Sequence, residues 1–476
     1  MKKTMFLLVI SISVIVINMD AGWIRTYGGA YNEEAYTVKQ TSDFGYIIGG
    51  YTDSYGAGFF DVYLVKTDCY GDTLWTRTYG GSMFDYTYSV VVTTDQGYIL
   101  AGETNSMGSG NFDIYIIKTD SLGDSIWTRT FGGSNVDRAK SVLQTAQGDY
   151  LIVGGTNSSG AGELDLCILY INCNGDSIWW KNYGGSLNDF GFCISPTNDN
   201  CFIITGYTES MGAGQKDLYL VKISSTGDTL WSKSYGGLDD DYGYSVHRTQ
   251  DNGFIVCGHT ASFGNGDIDV YLIKTDSTGD SVWTKTYGGS YCDFGQSVHQ
   301  TTDGGYLISG YTDSYGMGGY DAFIIKTNSY GDTLWTRIYG ESGMDVVRAS
   351  EFTDDGGFIF AGGTNSLGSG GYDMYLIKTN CNGSDVQEFT YPDPFPVIYH
   401  ISSIGKHQIK IELSLSDHQH IRLNIYDLSG RCIPTPVVGY YSPGQHSFIF
   451  NVERSGLFFY SIDDGKINER GKLIIY

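Results

Sequence analysis

Residues 89–131 hold four short runs in succession: SVVVTT (89–94), GYILAGET (97–104), DIYIIKTD (113–120) and SIWTRTF (125–131). All are rich in Val, Ile, Thr, Tyr or Trp and are separated by turn residues, as consecutive antiparallel strands are. Asp95-Gln96 joins the first two runs, and Asp120-Ser121-Leu122-Gly123-Asp124 joins the last two. The block recurs. Trp23, Trp75, Trp127, Trp179, Trp231, Trp283 and Trp335 each follow the one before by 52 residues, and at the next position, Gln387, the pattern stops. A period near 50 without insertion or deletion means one supersecondary unit copied seven times, each burying its apolar faces against its neighbours.

Glycine stands in all seven copies at the positions of Gly28, Gly50, Gly56, Gly58 and Gly71, and Thr52 and Ser54 recur in all seven as well. The Gly71 position, in the outer hairpin turn, fits a residue that needs φ > 0. Four-stranded units in a series of seven suit an all-β, seven-bladed β-propeller. The rival, an open solenoid, needs atypical terminal repeats as caps. Here the first and last copies match the interior ones, so a closed ring is the better reading. The chain also opens with the Trp strand, 23–27, and ends its seventh copy at 373–380 with no Trp strand after it. Blade seven should therefore be completed by the N-terminal strand. Lys39 and Glu351 should then meet beside the channel, because each stands 16 residues after its Trp position on blades that adjoin only in a closed ring.

The order of parts resembles a kelch-type propeller, with glycine after the second strand, Tyr on the third and Trp on the fourth. It is closer still to propeller repeats of bacterial secreted proteins that read W-x-K/R-x-Y-G-G…D-G-G-Y-I…G-x-T. The resemblance covers residues 23–386 and speaks for the fold, not for a ligand.

Lys2 and Lys3 precede an apolar or small run from Met5 to Ile17. That run is too short to span roughly 30 Å of hydrocarbon and reads as a secretory signal over residues 1–22. No other segment is long and apolar enough to cross a membrane. The nine cysteines form no Cys-x-x-Cys pair and occupy no regular place in the repeat. They read mainly as small buried hydrophobes, although export would permit disulfides. The formal charge of −24 lies almost wholly in the propeller, since residues 387–476 carry eight basic and nine acidic side chains. An acidic ring repels nucleic acid and anionic lipid and leaves cationic, calcium-bridged or neutral ligands open. A monomer is expected.

After the period ends, Tyr391-Pro392-Asp393-Pro394-Phe395-Pro396 lies in a stiff linker, 387–396, and a second domain follows over 397–476. YPDPF (391–395), LNIYDLSGR (423–431), PGQHSFIFNV (443–452), SGLFFYSI (455–462) and the terminal KLIIY resemble the C-terminal sorting domain of the type IX secretion system. The resemblance implies a small immunoglobulin-like β-sandwich, export through the type IX machinery, and a location outside the cell or on the outer-membrane surface of a Gram-negative-type bacterium. Asp393 stands where the family usually has Asn, and Phe458 or Phe459 where it has Tyr. A plain immunoglobulin-like accessory domain is the alternative, and alternating strands such as QIKIEL (408–413) suit either.

Counted from the Trp of each copy, position +10 holds Glu33, Asp85, Asp137, Asp189, Asp241, Asp293 and Asp345, and position +38 holds Asp61, Asp113, Asp165, Asp217, Asp269, Asp321 and Asp373. Strand direction puts both sets on one face of the disc. Position +2 carries Arg or Lys in every copy. A fold needs seven identical blades whereas a function rarely needs seven identical groups, so charge pairing and loop capping are the expected roles. Calcium at an Asp-rich loop such as Asp239-Asp240-Asp241 is the competing one. His247 and His299 should approach each other at the channel, which is weak evidence for metal. His418-Gln419-His420 reads as an exposed turn.

No Gly-x-Ser-x-Gly, His-Glu-x-x-His or phosphate-binding glycine loop is present. The expected function is a secreted, surface-displayed scaffold that binds a glycan or protein. A polysaccharide-active hydrolase or lyase at the channel mouth and a structural envelope component are the alternatives. Specificity should come from positions that vary between blades. At +13 these are Tyr36, Tyr88, Lys140, Phe192, Tyr244, Gln296 and Arg348; at +28 they are Tyr51, Glu103, Gly155, Tyr207, His259, Tyr311 and Gly363. Among them Tyr36, Tyr51, Tyr88, Tyr207, Tyr244, His259 and Tyr311 are the candidate ligand contacts, since such rings pair flat apolar area with a polar edge. The competing role is space-filling between blades.

Overall fold

The computed structural model describes residues 22–383, 386–387, 397–405, 408–415, 419–426, 432–433, 438–441, 444–452, 456–463 and 468–475. Each 52-residue copy forms an antiparallel four-stranded blade, and the seven blades make an all-β propeller. After β1 (Gly22–Tyr27), blade one runs from the channel outward as β2 (Glu33–Gln40), β3 (Tyr46–Thr52), β4 (Asp61–Thr67) and β5 (Thr73–Tyr79). The two middle strands are buried almost throughout and carry near-continuous apolar runs, while the outer strand is exposed or half-buried.

Blade seven has three strands of its own, Asp345–Phe352, Phe358–Thr364 and Asp373–Thr379, and takes β1 as its fourth. The register runs antiparallel from Trp23↔Lys378 to Tyr27↔Met374. The expected seam is present. A short strand, Val386–Gln387, then pairs parallel with β1 along its other edge. Gly22 and Gln387 thus belong to strands, while the signal and linker readings fall otherwise on 1–21 and 388–396, outside the described residues.

Each blade interface has its own apolar cluster. At the seam it joins Trp23, Ile359 and Leu376 of blade seven to Val38, Tyr46 and Ile48 of blade one. Fully burying one such aliphatic or aromatic side chain contributes about 1.5–3 kcal/mol, so the interfaces hold the ring. The Trp and the outer-turn glycine are a contact pair between successive blades. Gly71 has φ +81°, and a Cβ there would lie 2.8 Å from the Trp23 ring. Only glycine satisfies both the turn and the indole above it. Tyr27 seals the same contact by donating its hydroxyl to Gly71 O at 2.7 Å.

The chain divides into two compact units, Met1–Glu388 and Phe389–Tyr476. The second contains two sheets with antiparallel pairing. One is built from Val397–Gly405, Gln408–Leu415 and Gly444–Asn451; the other centres on Gln419–Tyr426 and Gly456–Asp463. Gln419 and His420 open a strand paired with Tyr441 and Tyr440, so the turn expected there gives way to a ladder; His418 lies outside the described residues. Among the described residues eight cysteines are free thiols. Among the described residues no helix is long and apolar enough to cross a membrane.

Candidate binding site at the channel mouth

The inner strand of every blade carries one β-bulge, and the bulged residue is the one at +13. In blade one the register shifts between Ala35 and Thr37, leaving Tyr36 without a cross-strand partner. The same shift isolates Tyr88, Lys140, Phe192, Tyr244, Gln296 and Arg348 in the other six. A bulge re-aims a side chain and frees it from the ladder. Here it frees seven side chains of five kinds on the inner strands.

They converge. Tyr36 and Tyr88 meet edge to face at 4.9 Å, and Phe192 meets Tyr244 at 4.7 Å. Lys140 Nζ sits 3.1 Å from the centre of the Tyr88 ring, a cation–π contact. Arg348 lies over Tyr36 at 5.8 Å and over Tyr311 at 5.1 Å, and its Nε donates to Glu34 at 2.8 Å. Tyr36 donates to Glu34 at 3.1 Å. Glu103 is held by Tyr88 at 2.6 Å and by Arg138 at 2.9 Å. Glu34 is therefore bonded at both oxygens, whereas Glu103 Oε2, although ion-paired with Arg138, receives no hydrogen bond among the described residues. Burial pushes the Lys140 ammonium down to about 8; Glu103 opposes that shift, and Arg138 and Arg348 reinforce it.

The +28 residues sit one strand further out, between blades. Tyr51 packs on Phe60 at 4.9 Å and on Tyr86 of the next blade at 5.4 Å. Tyr207 packs on Tyr242 of the next blade at 5.3 Å, and Tyr311 on its own blade's Phe294 at 4.8 Å. His259 is enclosed by Tyr242 and Phe294, and burial pushes its pKa down to about 4 against the opposing pull of Asp240. Where the copy has glycine, a neighbour's ring closes in: a Cβ on Gly155 would lie 2.3 Å from Phe190. The two variable sets touch: Tyr88 bonds Glu103, Arg348 covers Tyr311, and Phe192 and Tyr244 pack on Tyr207 and His259.

Both acid rings lie on the expected shared face and cap loops there. Asp85 accepts from Gly81 N at 2.8 Å and Ser106 Oγ at 2.6 Å, and Asp113 accepts from Ser109 N at 2.9 Å and Gly110 N at 3.0 Å. The +38 acid of one blade faces the +10 acid of the next across the glycine at the Gly28 position. A Cβ on Gly80 would lie 2.3 Å from Asp61 Oδ1 and 2.6 Å from Asp85 Oδ2. Burial and the facing carboxylate push Asp321 up to about 6. Charge pairing with the +2 cations does not occur, because those side chains reach the outer turn of the following blade instead. Arg77 bonds Asp124 at 3.2 Å while stacked on Trp75, and Lys181 bonds Asp228 at 2.8 Å.

Asp239, Asp240 and Asp241 diverge and do not fit a calcium cage. Asp241 caps Gly237 N and Ser262 Oγ, Asp240 pairs with Lys216 at 3.3 Å, and Asp239 meets Ser262 through its backbone. Among the described residues no group of three or more His, Cys, Asp or Glu is arranged to hold a metal ion. His247 and His299 do approach each other, with ring centres 4.7 Å apart, and His299 Nε2 lies 2.8 Å from Ser350 O.

Besides the bulges, one cavity was not anticipated from the sequence. A cavity of about 260 Å³ opens between blades three and four, lined by Arg138, Asn157, Glu163, Leu164, Asn188 and Phe190. Arg138 is the second residue before the bulged Lys140 on the same strand, Asp137–Gln144.

No protein-family model matches the chain. It is similar to an uncharacterized WD repeat-containing protein of Acanthamoeba polyphaga mimivirus, at 19% identity over 407 residues covering 59% of this chain and 29% of the relative. It is also similar to the regulatory protein FlaEY of Caulobacter vibrioides, at 25% identity over 412 residues covering 78% of this chain and 41% of the relative. The chain thus spans less than half the length of either. Among solved structures, the β-propeller domain of the trilobed protease from Pyrococcus furiosus matches with a TM-score of 0.41 and 9% identity, covering 76% of this chain and 99% of that one. A puromycin hydrolase mutant in complex with a ligand matches with a TM-score of 0.48 and 10% identity, over 80% and 58% of the two chains.

Proposed function

We propose that the propeller is a binding module whose ligand docks at the channel mouth, and that the chain works outside the cell or on its surface after export through the type IX machinery. The observation that supports the binding face is the ring of seven bulges. Everything that builds the blade repeats, whereas the bulged side chains are three tyrosines, one Phe, one Gln, one Lys and one Arg. Such variation on an invariant frame is how a repeat scaffold acquires specificity. Rigid aromatic rings with carboxylates beside them suit a glycan or an extended peptide. The surface location rests on the apolar N-terminal run and the sorting-domain motifs at 391–395, 423–431 and 443–452.

A glycan and protein array probed with the full chain, followed by hydrogen exchange with the strongest ligand bound, tests this reading. Protection should concentrate in peptides covering 34–39, 86–91, 138–143 and 242–247. Protection confined to outer strands such as 73–79 would overturn it.

A further inference from the structure

The loops beside the channel mouth repeat in backbone but not in side chain. The residue at +37 bridges the residue at +9 of the next blade, as Phe60 does Phe84, Phe112 does Val136, Ile268 does Cys292 and Tyr372 does Asn32. Both positions are aromatic only in the first of these pairs. Only there does +36 add a ring, Phe59, where the other copies carry Asn, Glu, Gln, Asp or Gly. The result is an aromatic strip. Phe59, 58% exposed, stacks on Phe84 at 5.3 Å, and Phe84 meets Phe60 at 5.6 Å. Phe60 meets Tyr86 at 5.7 Å, and Tyr86 lies 6.2 Å from Tyr88 of the bulge ring. The four inner rings are each partly exposed. Successive planes are inclined by 15°, 38°, 36° and 17°, so no ring stands edge-on to the next. Tyr51 does stand edge-on, at 74° to Phe60 and 81° to Tyr86, and buttresses the strip.

The strip is uncharged. The stretches that carry it, 54–60 and 80–88, contain no Lys, Arg or Glu, and their one Asp, Asp85, is 0% exposed and caps Gly81 and Ser106. A polyanion finds no cation along it, and single-stranded nucleic acid, which needs cations beside its stacking rings, does not suit it. A proline-rich peptide docks in grooves between aromatic side chains. A ring slotted between two others needs their centres about 7–8 Å apart, twice a carbon–carbon contact. No step of the strip exceeds 6.2 Å. A neutral sugar ring instead lays its apolar C–H face against an aromatic ring, and a β-linked chain extends so that successive sugars meet successive aromatics. Resting on the binding reading above, we propose that the ligand is a neutral, extended β-linked glycan that runs from Tyr88 at the channel mouth out across blades one and two to Phe59.

Isothermal titration of the full chain with cellohexaose, mannohexaose and xylohexaose, beside maltohexaose, hexagalacturonate and decaproline, tests this. At least one of the first three should bind, with affinity that rises from its disaccharide to its hexasaccharide and holds as salt is added. Phe59→Ala, which removes an exposed side chain, should weaken that binding at least about fivefold at unchanged melting temperature, and Phe59→Tyr should keep most of it. Undiminished binding by Phe59→Ala would overturn the strip and leave the bulge ring as the site. Tighter binding of maltohexaose, hexagalacturonate or decaproline would overturn the neutral β-linked assignment. Absence of binding in all six arms, with an array ligand still protecting the bulge ring, would overturn the glycan alone; an empty array as well would overturn both proposals.

Discussion

Lys39 and Glu351 form an ion pair beside the central channel although 312 residues separate them. They stand on the inner strands of blades one and seven, so the contact exists only because the ring closes. Both side chains are partly exposed, and a pair of this kind contributes about 0–1 kcal/mol. Closure rests instead on β1, whose Trp23 is 7% exposed and meets Tyr46 of blade one at 5.8 Å.

Trp23→Ala should therefore cost about 3–5 kcal/mol, as the truncation of a buried aromatic does. Trp75→Ala, at the equivalent place in an interior blade where the indole is only half-buried, should cost less. Urea unfolding of both variants checks the order. Equal losses would mean that the seam is no more demanding than any other interface.

The blade, its strand order and the seam were legible because 52-residue spacing copies every packing constraint seven times. The bulge was not read, although its trace is in the sequence. The buried apolar residues of the inner strand fall at +12 and +15, as Ala35 and Val38 do, and a regular strand keeps one face at even spacing. An odd interval requires one extra residue, the one at +13. Roles for +28 were harder to assign, because Tyr207 and Tyr311 resemble Tyr88 and Tyr244 in type, and Tyr242 packs on both Tyr207 and Tyr244. The cavity by Arg138 arises from side chains of two blades and has no signature within one copy.

Asp321 gives the ring a pH dependence. Its carboxyl titrates at about 6 when folded against an ordinary 3.8, because it is buried and faces Asp345. A folded value above the unfolded one means the folded state holds the proton more tightly. The associated stability is complete below pH 3.8 and is lost as pH rises through about 6. Asp321→Asn should therefore raise stability by on the order of 1 kcal/mol at neutral pH, within the ~3 kcal/mol that a shift of this size allows, and by little near pH 4. Melting curves across that range check the sign, and a variant less stable at neutral pH would contradict it.

The two variable rings should separate by experiment. Tyr207→Ala removes the contact with Tyr242 of the next blade, and Tyr311→Ala removes a ring packed on Phe294 and Tyr320 of its own blade; each should cost about 2–4 kcal/mol. Tyr88→Ala and Tyr244→Ala remove bulged side chains and should act mainly on binding. Denaturant midpoints and array signals for the four variants check this division.

Removing residues 397–476 should leave a folded propeller, since the two compact units divide at Glu388 and Phe389 and each carries its own sheets. The truncated chain should melt as the full propeller does and fail to reach the cell surface. Surface labelling of the truncated chain at the full-length level would contradict the export role.

The central claim is that the bulge ring binds. Tyr36→Ser, Tyr88→Ser and Tyr244→Ser combined in one chain remove its tyrosines without touching a cross-strand pair. Wild type and this variant, compared on the same glycan and protein array, should differ by at least about tenfold in signal for the ligands the wild type binds, with melting temperatures within a few degrees. Undiminished signals from a properly folded variant would contradict the account.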